Sequence, residues 1–556
     1  MSAFFRALKR RQTDPDGRSW VFVPYDQLTD AIGPLSRQDP TELGIVLVEN
    51  VWKASRRPYH RQKVALLLAN QRHFALEQAE RGVAVRYEIG DAPYASLLEP
   101  VCDELGGVRV MRPAERELRA DLAPLVEKGG IEVVPHEGWL TTTEQFEKAF
   151  AGGKSWKMDG FYRFVRRETG ILMEDGEPVG GKLSFDADNR KPWRGGPAAP
   201  EPPRFEPDEI TREVIDLVES ELRAHPGEID PHALPVTAGD AERAWRWARE
   251  SCLEHFGPYE DAMSRRSRGL FHTRISALMN LHRLLPARIV SSVLEMDLPI
   301  ASQEGFVRQV LGWREFMHHV HDATDGFREL PDGTRPERAE SPGDAGFERW
   351  SGRSWAAPES PVRLDGGACP SALEAETPLP PAFWGEPSGL ACLDTVVSEV
   401  WETGYGHHIT RLMVLSNLAT LLGVSPREVT DWFWVAYADA YDWVVEPNVL
   451  GMGTFALGDL FTTKPYVSGA AYISRMSDYC EDCAFSPKDD CPITSLYWDF
   501  LSRNESSLEG NPRVAMPLRS LAKRGDDRRA RDAAVHEWVQ SRLADGETLQ
   551  PEDAPR

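Results

Sequence analysis

No apolar run in this chain is long enough to cross a bilayer. The longest charge-free stretch, residues 412–426, is interrupted by Ser416 and Asn417 and falls short of the roughly 20 residues a spanning helix needs. The first residues, MSAFFRALKRRQTD, lack the apolar segment and small-residue cleavage site of a secretory signal. The expectation is a cytoplasmic, monomeric protein with no membrane partner. Basic charge is in deficit too: 64 Lys and Arg stand against 87 Asp and Glu, a formal net charge of −23. That balance argues against bulk electrostatic binding of nucleic acid and leaves only a local basic groove for any such contact. No GxGxxG occurs, so the dinucleotide fingerprint is missing. Cysteines are few, odd in number at seven, and unevenly spread, which is not a disulfide framework. Internal repeats are absent.

The remainder reads as ordinary globular protein, with 41% apolar residues and 556 residues in all. At about 150 residues per domain this suggests two to four domains. Residues 19–25 (SWVFVPY), 44–48 (GIVLV), 83–88 (VAVRYE), 107–111 (GVRVM) and 131–134 (IEVV) have the composition of short buried strands. Helical periods lie between them, at 59–78 and 95–105. The alternation predicts an α/β domain over 19–150 with a Rossmann-like parallel sheet, whose ligands would sit beyond the carboxyl ends of the strands. Residues 151–240 read as a connector, with Pro and Gly clustered at 195–203 and 226–235. An all-α domain follows over 241–323 and 382–510, with helical spacing at 304–320, 392–422 and 426–441. Residues 324–381, rich in Gly, Pro and charge, read as an inserted surface loop, and 511–556 as a C-terminal tail.

Three chemical groupings stand out. Cys480, Cys483 and Cys491 form C-x₂-C-x₇-C-P. A two-residue turn brings both sulfurs of the first pair to one point, and Cys392 is the candidate fourth ligand. The spacing fits zinc or iron–sulfur alike, against a reading as plain reduced thiols. Cys102, Cys252 and Cys369 read as ordinary residues. Many of the 17 tryptophans, among them Trp313, Trp384, Trp401, Trp432 and Trp443, fall in the C-terminal half. They read as core or as a chain of redox-active rings. The spacing of Gln309, Trp313 and Phe316 puts them on one helical face, with Arg314 and Glu315 on another. His407, His408 and Arg411 fall within a helical stretch at i, i+1 and i+4, a proton donor beside a fixed cation.

Several longer segments resemble a known family. FVRQVLGWREF (306–316) is similar to the tryptophan-arginine-glutamate helix of the photolyase/cryptochrome superfamily. GYGHHITRLM (404–413), YADAYDWVVEPNVLGM (437–452), TKPYVSGAAYISRMSDYC (463–480), CPITSLYWDFL (491–501) and GFYRFVRRETGILM (160–173) resemble its bacterial iron–sulfur branch, which includes (6-4) photolyases. The resemblance implies FAD in the helical domain and a 4Fe–4S cluster on Cys392, Cys480, Cys483 and Cys491. It implies flavin contacts from His272, Thr273 and Ser276 near the diphosphate. Gln309, Trp313 and Arg314 would line the cavity, with Asp439 and Asn448 beside the isoalloxazine. His407, His408 and Arg411 match the lesion pocket, and Trp384 and Trp432 the electron path. Asp26 and Glu49 match an antenna pocket that holds 6,7-dimethyl-8-ribityllumazine.

The chain also departs from the pattern. Phe433 stands where relatives can carry a redox-active tyrosine, which makes Tyr472 the candidate replacement. Glu446 is one position later than the family carboxylate, whose place is taken by Val445. Arg116 replaces an aromatic in the antenna domain, and the run Arg56-Arg57-Pro58-Tyr59-His60 is altered.

The implied activity is light-driven repair of (6-4) photoproducts in UV-damaged DNA. Reduced FAD would give one electron to a flipped lesion, with His408 as the acid and His407 and Arg411 positioning lesion oxygens. Basic residues at 154–167 (Lys154, Lys157, Arg163, Arg166, Arg167) and Arg265, Arg266 and Arg268 are the candidate DNA contacts. The rival readings are a cryptochrome-like photoreceptor, a zinc-binding nucleic-acid module, and repair of cyclobutane dimers.

Overall fold

The computed structural model describes residues 2–151, 153, 155–339, 345–352, 355 and 366–555. Five strands pair in parallel in the order β3-β2-β1-β4-β5: β1 Ser19–Phe22, β2 Leu43–Asn50, β3 Ala84–Gly90, β4 Val108–Met111 and β5 Ile131–Val134. All eight residues of β2 are buried. Helices cover both faces of the sheet, so this inner strand reads as a nearly unbroken apolar run. Gly44 lets β2 lie against the Trp20 indole; a Cβ there would sit 2.5 Å from the ring. The helix Ala3–Arg11, which the apolar spacing did not announce, seals the far face through fully buried Phe4, whose ring meets Tyr87 at 4.6 Å. Burying such a side chain is worth about 1.5–3 kcal/mol.

The helix Arg61–Glu80 is buried along most of its length. It carries the core of the sheet, Val46 and Val48, into that of the helical half, Leu415 and Ala436. A second core gathers Phe161, Tyr162, Phe306 and Phe316. Each of the stretches outside the two domains contributes to these cores. In 151–240 the helix Met158–Thr169 buries Phe161 and Val165, and Glu209–Glu221 buries Val214 and Val218. In the described part of 324–381, Phe327, Phe347, Ala368 and Leu379 are buried. Beyond 510, Asp526–Ala544 buries Val535, Val539 and Leu543.

Two helices expected as continuous are broken. The period over 392–422 divides because Gly404, at φ 63°, caps Ala391–Thr403 in the left-handed conformation. His407 then serves as the residue before the next helical turn, His408–Thr410, rather than lying inside a helix. The period over 426–441 stops at Ala436, where Tyr437 turns extended. Both breaks deliver functional residues to one cavity.

Candidate functional site

Three π-helical turns, Arg308–Arg314, Arg411–Ser416 and Pro447–Gly453, converge on a cavity of about 290 Å³. Wide turns of this kind recur at functional sites because the extra residue pushes side chains out of the regular helical register. Here the effect is direct. Gln309, Trp313 and Arg314 all line the cavity, whereas Phe316 turns away and is completely buried in the second core. The expected face of Gln309, Trp313 and Phe316 is therefore corrected by the wider turn. Gly453 lets two of the turns touch; a Cβ there would lie 2.8 Å from Ser416 Oγ.

One wall is a fixed charge pair. Arg411 Nη2 donates to Asp439 Oδ2 at 3.0 Å, with Nη1 3.0 Å from Oδ1, and Nε donates to the Gly406 carbonyl at 2.7 Å. Its guanidinium lies 3.8 Å over the Tyr437 ring. Asp439 also accepts the Ser276 hydroxyl at 2.6 Å. Burial opposes the charge on Asp439, but Arg411 and Ser276 outweigh it and hold the carboxyl below the usual range. Arg411 thus commits its donors to Asp439 and Gly406, and its place is beside the cavity wall.

The rim holds three histidines. His272 and His407 stack in parallel at 4.4 Å, and His408 meets His272 edge-on at 5.3 Å. Burial, then the neighbouring His408 and Arg411, pushes His407 well below the ordinary imidazole range. His408 is 39% exposed, with Nε2 3.8 Å from Asp261 Oδ1. Deeper in, Asn448 donates to the Val444 carbonyl at 2.7 Å, and Gln309 donates to Glu260. Thr273 and Ser276 complete the lining. His272 Nε2, His407 Nδ1, and Arg314 Nε and Nη2 are buried without a hydrogen-bond partner, and all belong to lining residues. Buried polar atoms left unpaired in this way call for a ligand. An apolar cavity edged by such groups suits a large, flat heteroaromatic molecule.

A family model described as deoxyribodipyrimidine photo-lyase-related protein matches residues 21–234. A (6-4) photolyase of Agrobacterium fabrum is 35% identical over 526 residues, covering 91% of this chain and 96% of that protein. The chain belongs to the photolyase family. Among solved structures, a Synechocystis cryptochrome aligns over 92% of this chain and 95% of its own at 13% identity, with a TM-score of 0.50, a likeness of fold. The photolyase/cryptochrome family generally binds FAD, and the unpaired lining atoms fit such a ligand.

The remaining expected residues of this photolyase-family chain fall into separate places. Cys392 opens the helix Ala391–Thr403, Cys480 lies in the turn Tyr479–Glu481, and Cys491 caps Pro492–Arg503. All seven cysteines are free of disulfides. Burial raises the Cys392 thiol well above its usual range, and the Cys491, Cys480 and Cys483 thiols add to that rise. Burial likewise pushes Cys491 up to about 12. Four thiols so placed repel one another's charge, and a bound cation would relieve that repulsion. Among the described residues, no group of three or more His, Cys, Asp or Glu could hold a metal ion.

Trp384 and Trp432 do not touch each other, but both meet Trp401, at 5.3 Å and 5.8 Å. Tyr472 lies elsewhere: Arg475 sits 5.5 Å over its ring, and Asp261 and Arg190 are its charged neighbours. Val445 lines the cavity, whereas Glu446 turns into a buried cluster with Arg427 at 2.8 Å and His321 at 2.9 Å.

The antenna residues do not fit a ribityllumazine. Glu49 is held by Arg72 at 2.8 Å and 2.9 Å and by Tyr87 at 2.7 Å. Burial raises Asp26 to about 7. The adjoining cavity, between Tyr25, Asn50, Lys53, Tyr94 and Tyr441, measures about 60 Å³, about a fifth of the cavity between the π-helical turns. Arg57 lies over one of its lining rings, 3.8 Å from Trp434, and is paired to Glu117 at 2.7 Å.

The expected basic patches are largely neutralised. Arg166 is completely buried and donates to backbone carbonyls of Leu183 and Leu172, so it cannot reach DNA. Arg163 pairs with Asp159, Arg265 with Asp482, Arg266 with Asp478 and Arg268 with Glu402. Lys157 donates to the Thr462 carbonyl at 2.7 Å, Arg167 is exposed, and Lys154 lies outside the described residues. Composition passed over a different group: burial, then Arg513 and Arg190, lowers Lys464. Their scatter along the chain left no run to detect.

Proposed function

We propose that this protein is a light-driven DNA repair enzyme that reverses (6-4) pyrimidine–pyrimidone photoproducts. The observation that carries the reading is the near-full-length match to a (6-4) photolyase, in which 96% of that protein is covered. The histidine rim gives it chemical content. A (6-4) lesion needs a group moved between bases, and that step requires a proton donor at the mouth of the cavity.

Reduced FAD, when bound and illuminated, supplies one electron to the lesion. The chain's own residues do the rest. Arg314, Gln309, Thr273, Ser276 and Asn448 hold the cofactor, and the Asp439–Arg411 pair fixes charge along one wall. His408 donates the proton from its half-exposed position, with Asp261 Oδ1 3.8 Å from its Nε2. His407, buried and neutral, orients the lesion through the face opposite His272. Lys464 and Arg513 receive the phosphates of UV-damaged DNA; two cations close together gain from an added anion. A base already unstacked by damage flips out at low cost.

Cys392, Cys480, Cys483 and Cys491 hold a 4Fe–4S cluster in this reading. Their support is four thiols free of disulfides, of which Cys392 is buried and feels the charges of the other three. The cluster ties a helix near residue 392 to the segment near 491 and so closes a long loop.

The test is an oligonucleotide with one defined (6-4) lesion, incubated with reduced holoprotein in blue light and in darkness. Light-dependent loss of the lesion is expected. A flavin-loaded protein that leaves it intact would favour the photoreceptor reading, and one acting only on a cyclobutane dimer would change the substrate.

A further inference from the structure

The cavity wall that carries Asp439 is tied to the other domain. The helix Pro426–Ala436 stops just short of it, and the last turn of any helix leaves carbonyls without a partner inside the helix. Two of them are met by the start of the helix Arg61–Glu80. Lys63 Nζ donates to the Trp434 carbonyl at 2.9 Å, and the His60 N–H donates to the Val435 carbonyl at 2.8 Å. Lys63 Nζ donates a second time, to the Ala440 carbonyl at 2.6 Å. One amine therefore joins both ends of the segment 434–440. Inside that segment lie Tyr437 and Asp439, which hold Arg411 by a ring contact at 3.8 Å and an ion pair at 3.0 Å.

We propose that Lys63 is a positioning residue for the flavin: by bridging Trp434 and Ala440 it sets where Asp439, and through it Arg411, stands in the cavity wall. The proposal rests on reading the cavity as a flavin site. It gives the α/β domain a task at the cofactor of the helical one.

The surroundings of Lys63 suit this task. A buried lysine ordinarily needs a partner for its charge. Lys63, 7% exposed, gives its hydrogens to two backbone carbonyls, and the rings of Tyr59 and Tyr441 lie 4.5 Å and 5.7 Å from Nζ. Burial, then the neighbouring Lys53, pulls its hold on the extra proton well down, and Asp439 is the first group to oppose that fall. An ammonium carries three hydrogens and a neutral amine two. Both forms supply the two bonds, so the tie does not depend on the charge.

Other contacts secure the middle of the segment and leave its ends to the helix Arg61–Glu80. The Asp439 carbonyl accepts from Asn280 Nδ2 at 2.9 Å, and the Ala438 N–H donates to the Gly404 carbonyl at 2.9 Å. Trp434 and Ala440 are 2% and 0% exposed. Without the amine their carbonyls lose a donor in a place closed to bulk water, and the turn must move to find another. Asp439 moves with it.

The test is a double-mutant cycle in the full-length protein, Lys63→Met with Asp439→Asn, read as the FAD dissociation constant and the visible absorption of bound flavin. Lys63→Met is expected to weaken FAD binding about tenfold, the scale of one or two lost hydrogen bonds, and to shift the flavin band in the same direction as Asp439→Asn. The double variant should bind FAD no more weakly than Asp439→Asn alone, because Lys63 acts through that carboxylate. Hydrogen exchange of flavin-loaded protein gives a second readout. Peptides covering 434–441 should exchange faster in Lys63→Met, while those covering β2 keep wild-type rates. Lys63→Gln, shorter but still a donor, carries the same cycle if Lys63→Met does not fold. Losses that add in the double variant, or faster exchange in both regions alike, would overturn the proposal by making Lys63 merely structural. A Lys63 variant with wild-type affinity and flavin spectrum would overturn it as well. Wild-type protein that binds no FAD would instead overturn the reading of the cavity on which it rests.

Discussion

Replacing Glu446 by Gln removes a negative charge where nothing takes its place. The side chain is 2% exposed, accepts Arg427 Nη1 at 2.8 Å and lies 2.9 Å from His321 Nε2. Burial opposes its charge, but the His321 hydrogen bond and the Arg427 guanidinium outweigh that and hold the carboxyl at about 2, against an ordinary 4.5. At 1.36 kcal/mol per pH unit this amounts to about 3 kcal/mol of stability. A separate argument reaches the same figure, since removing one member of a buried ion pair costs about 3–5 kcal/mol. Arg427 keeps Asp431 at 2.7 Å, which favours the lower end.

The sign follows from a folded-state value below the unfolded one. The stabilisation is complete above about pH 4.5 and is lost as pH falls toward 2, so the deficit of Glu446→Gln should shrink by about 1 kcal/mol at pH 4. Urea unfolding followed by tryptophan fluorescence at pH 7 and pH 4 measures both quantities. Because Val445, not Glu446, lines the cavity, flavin absorbance should stay unchanged. A variant as stable as wild type at pH 7, or one that sheds flavin without losing stability, would refute this account of where the carboxylate acts.

Other substitutions probe the site itself. His408→Ala should abolish repair of a defined (6-4) lesion while flavin absorbance is retained; normal repair would take the acid role away from His408. Cys491→Ser should lower iron per chain and the broad thiolate-to-iron absorption in anaerobically purified protein; unchanged iron would place the cluster elsewhere. Titration with 6,7-dimethyl-8-ribityllumazine should give no binding heat and no new band in the excitation spectrum of flavin emission. Saturable binding would show that Arg57 and Lys53 give way more readily than their burial implies.

The five strands were legible because each is a short apolar run bounded by turn residues, and a sheet covered on both faces requires just that pattern. Spacing alone suggested a soft-metal motif in the cysteine triad and a proton donor beside a cation in the histidine pair. Resemblance to photolyases supplied what spacing left open, the family and its flavin. The cavity itself was not legible. Its walls are three π-helical turns, and an extra residue per turn leaves no mark on a pattern read at the ordinary helical period. For that reason the ordinary period put Phe316 on one face with Gln309 and Trp313 and Arg314 on another, when the wider turn exchanges Phe316 and Arg314.

Charge was where local composition misled most. Arg166 counted as a DNA contact and is completely buried on carbonyls of its own domain, because a basic side chain's partner depends on residues far away in the chain. Glu49 is taken by Arg72, and Arg411 by Asp439, for the same reason. Trp401 looked like any other core indole until the fold set it between two rings from different segments. Periodicity and motif spacing encode what neighbours along the chain do together; ion pairing, ring stacking and cavity volume depend on distances between segments hundreds of residues apart, and those exist only once the chain has packed.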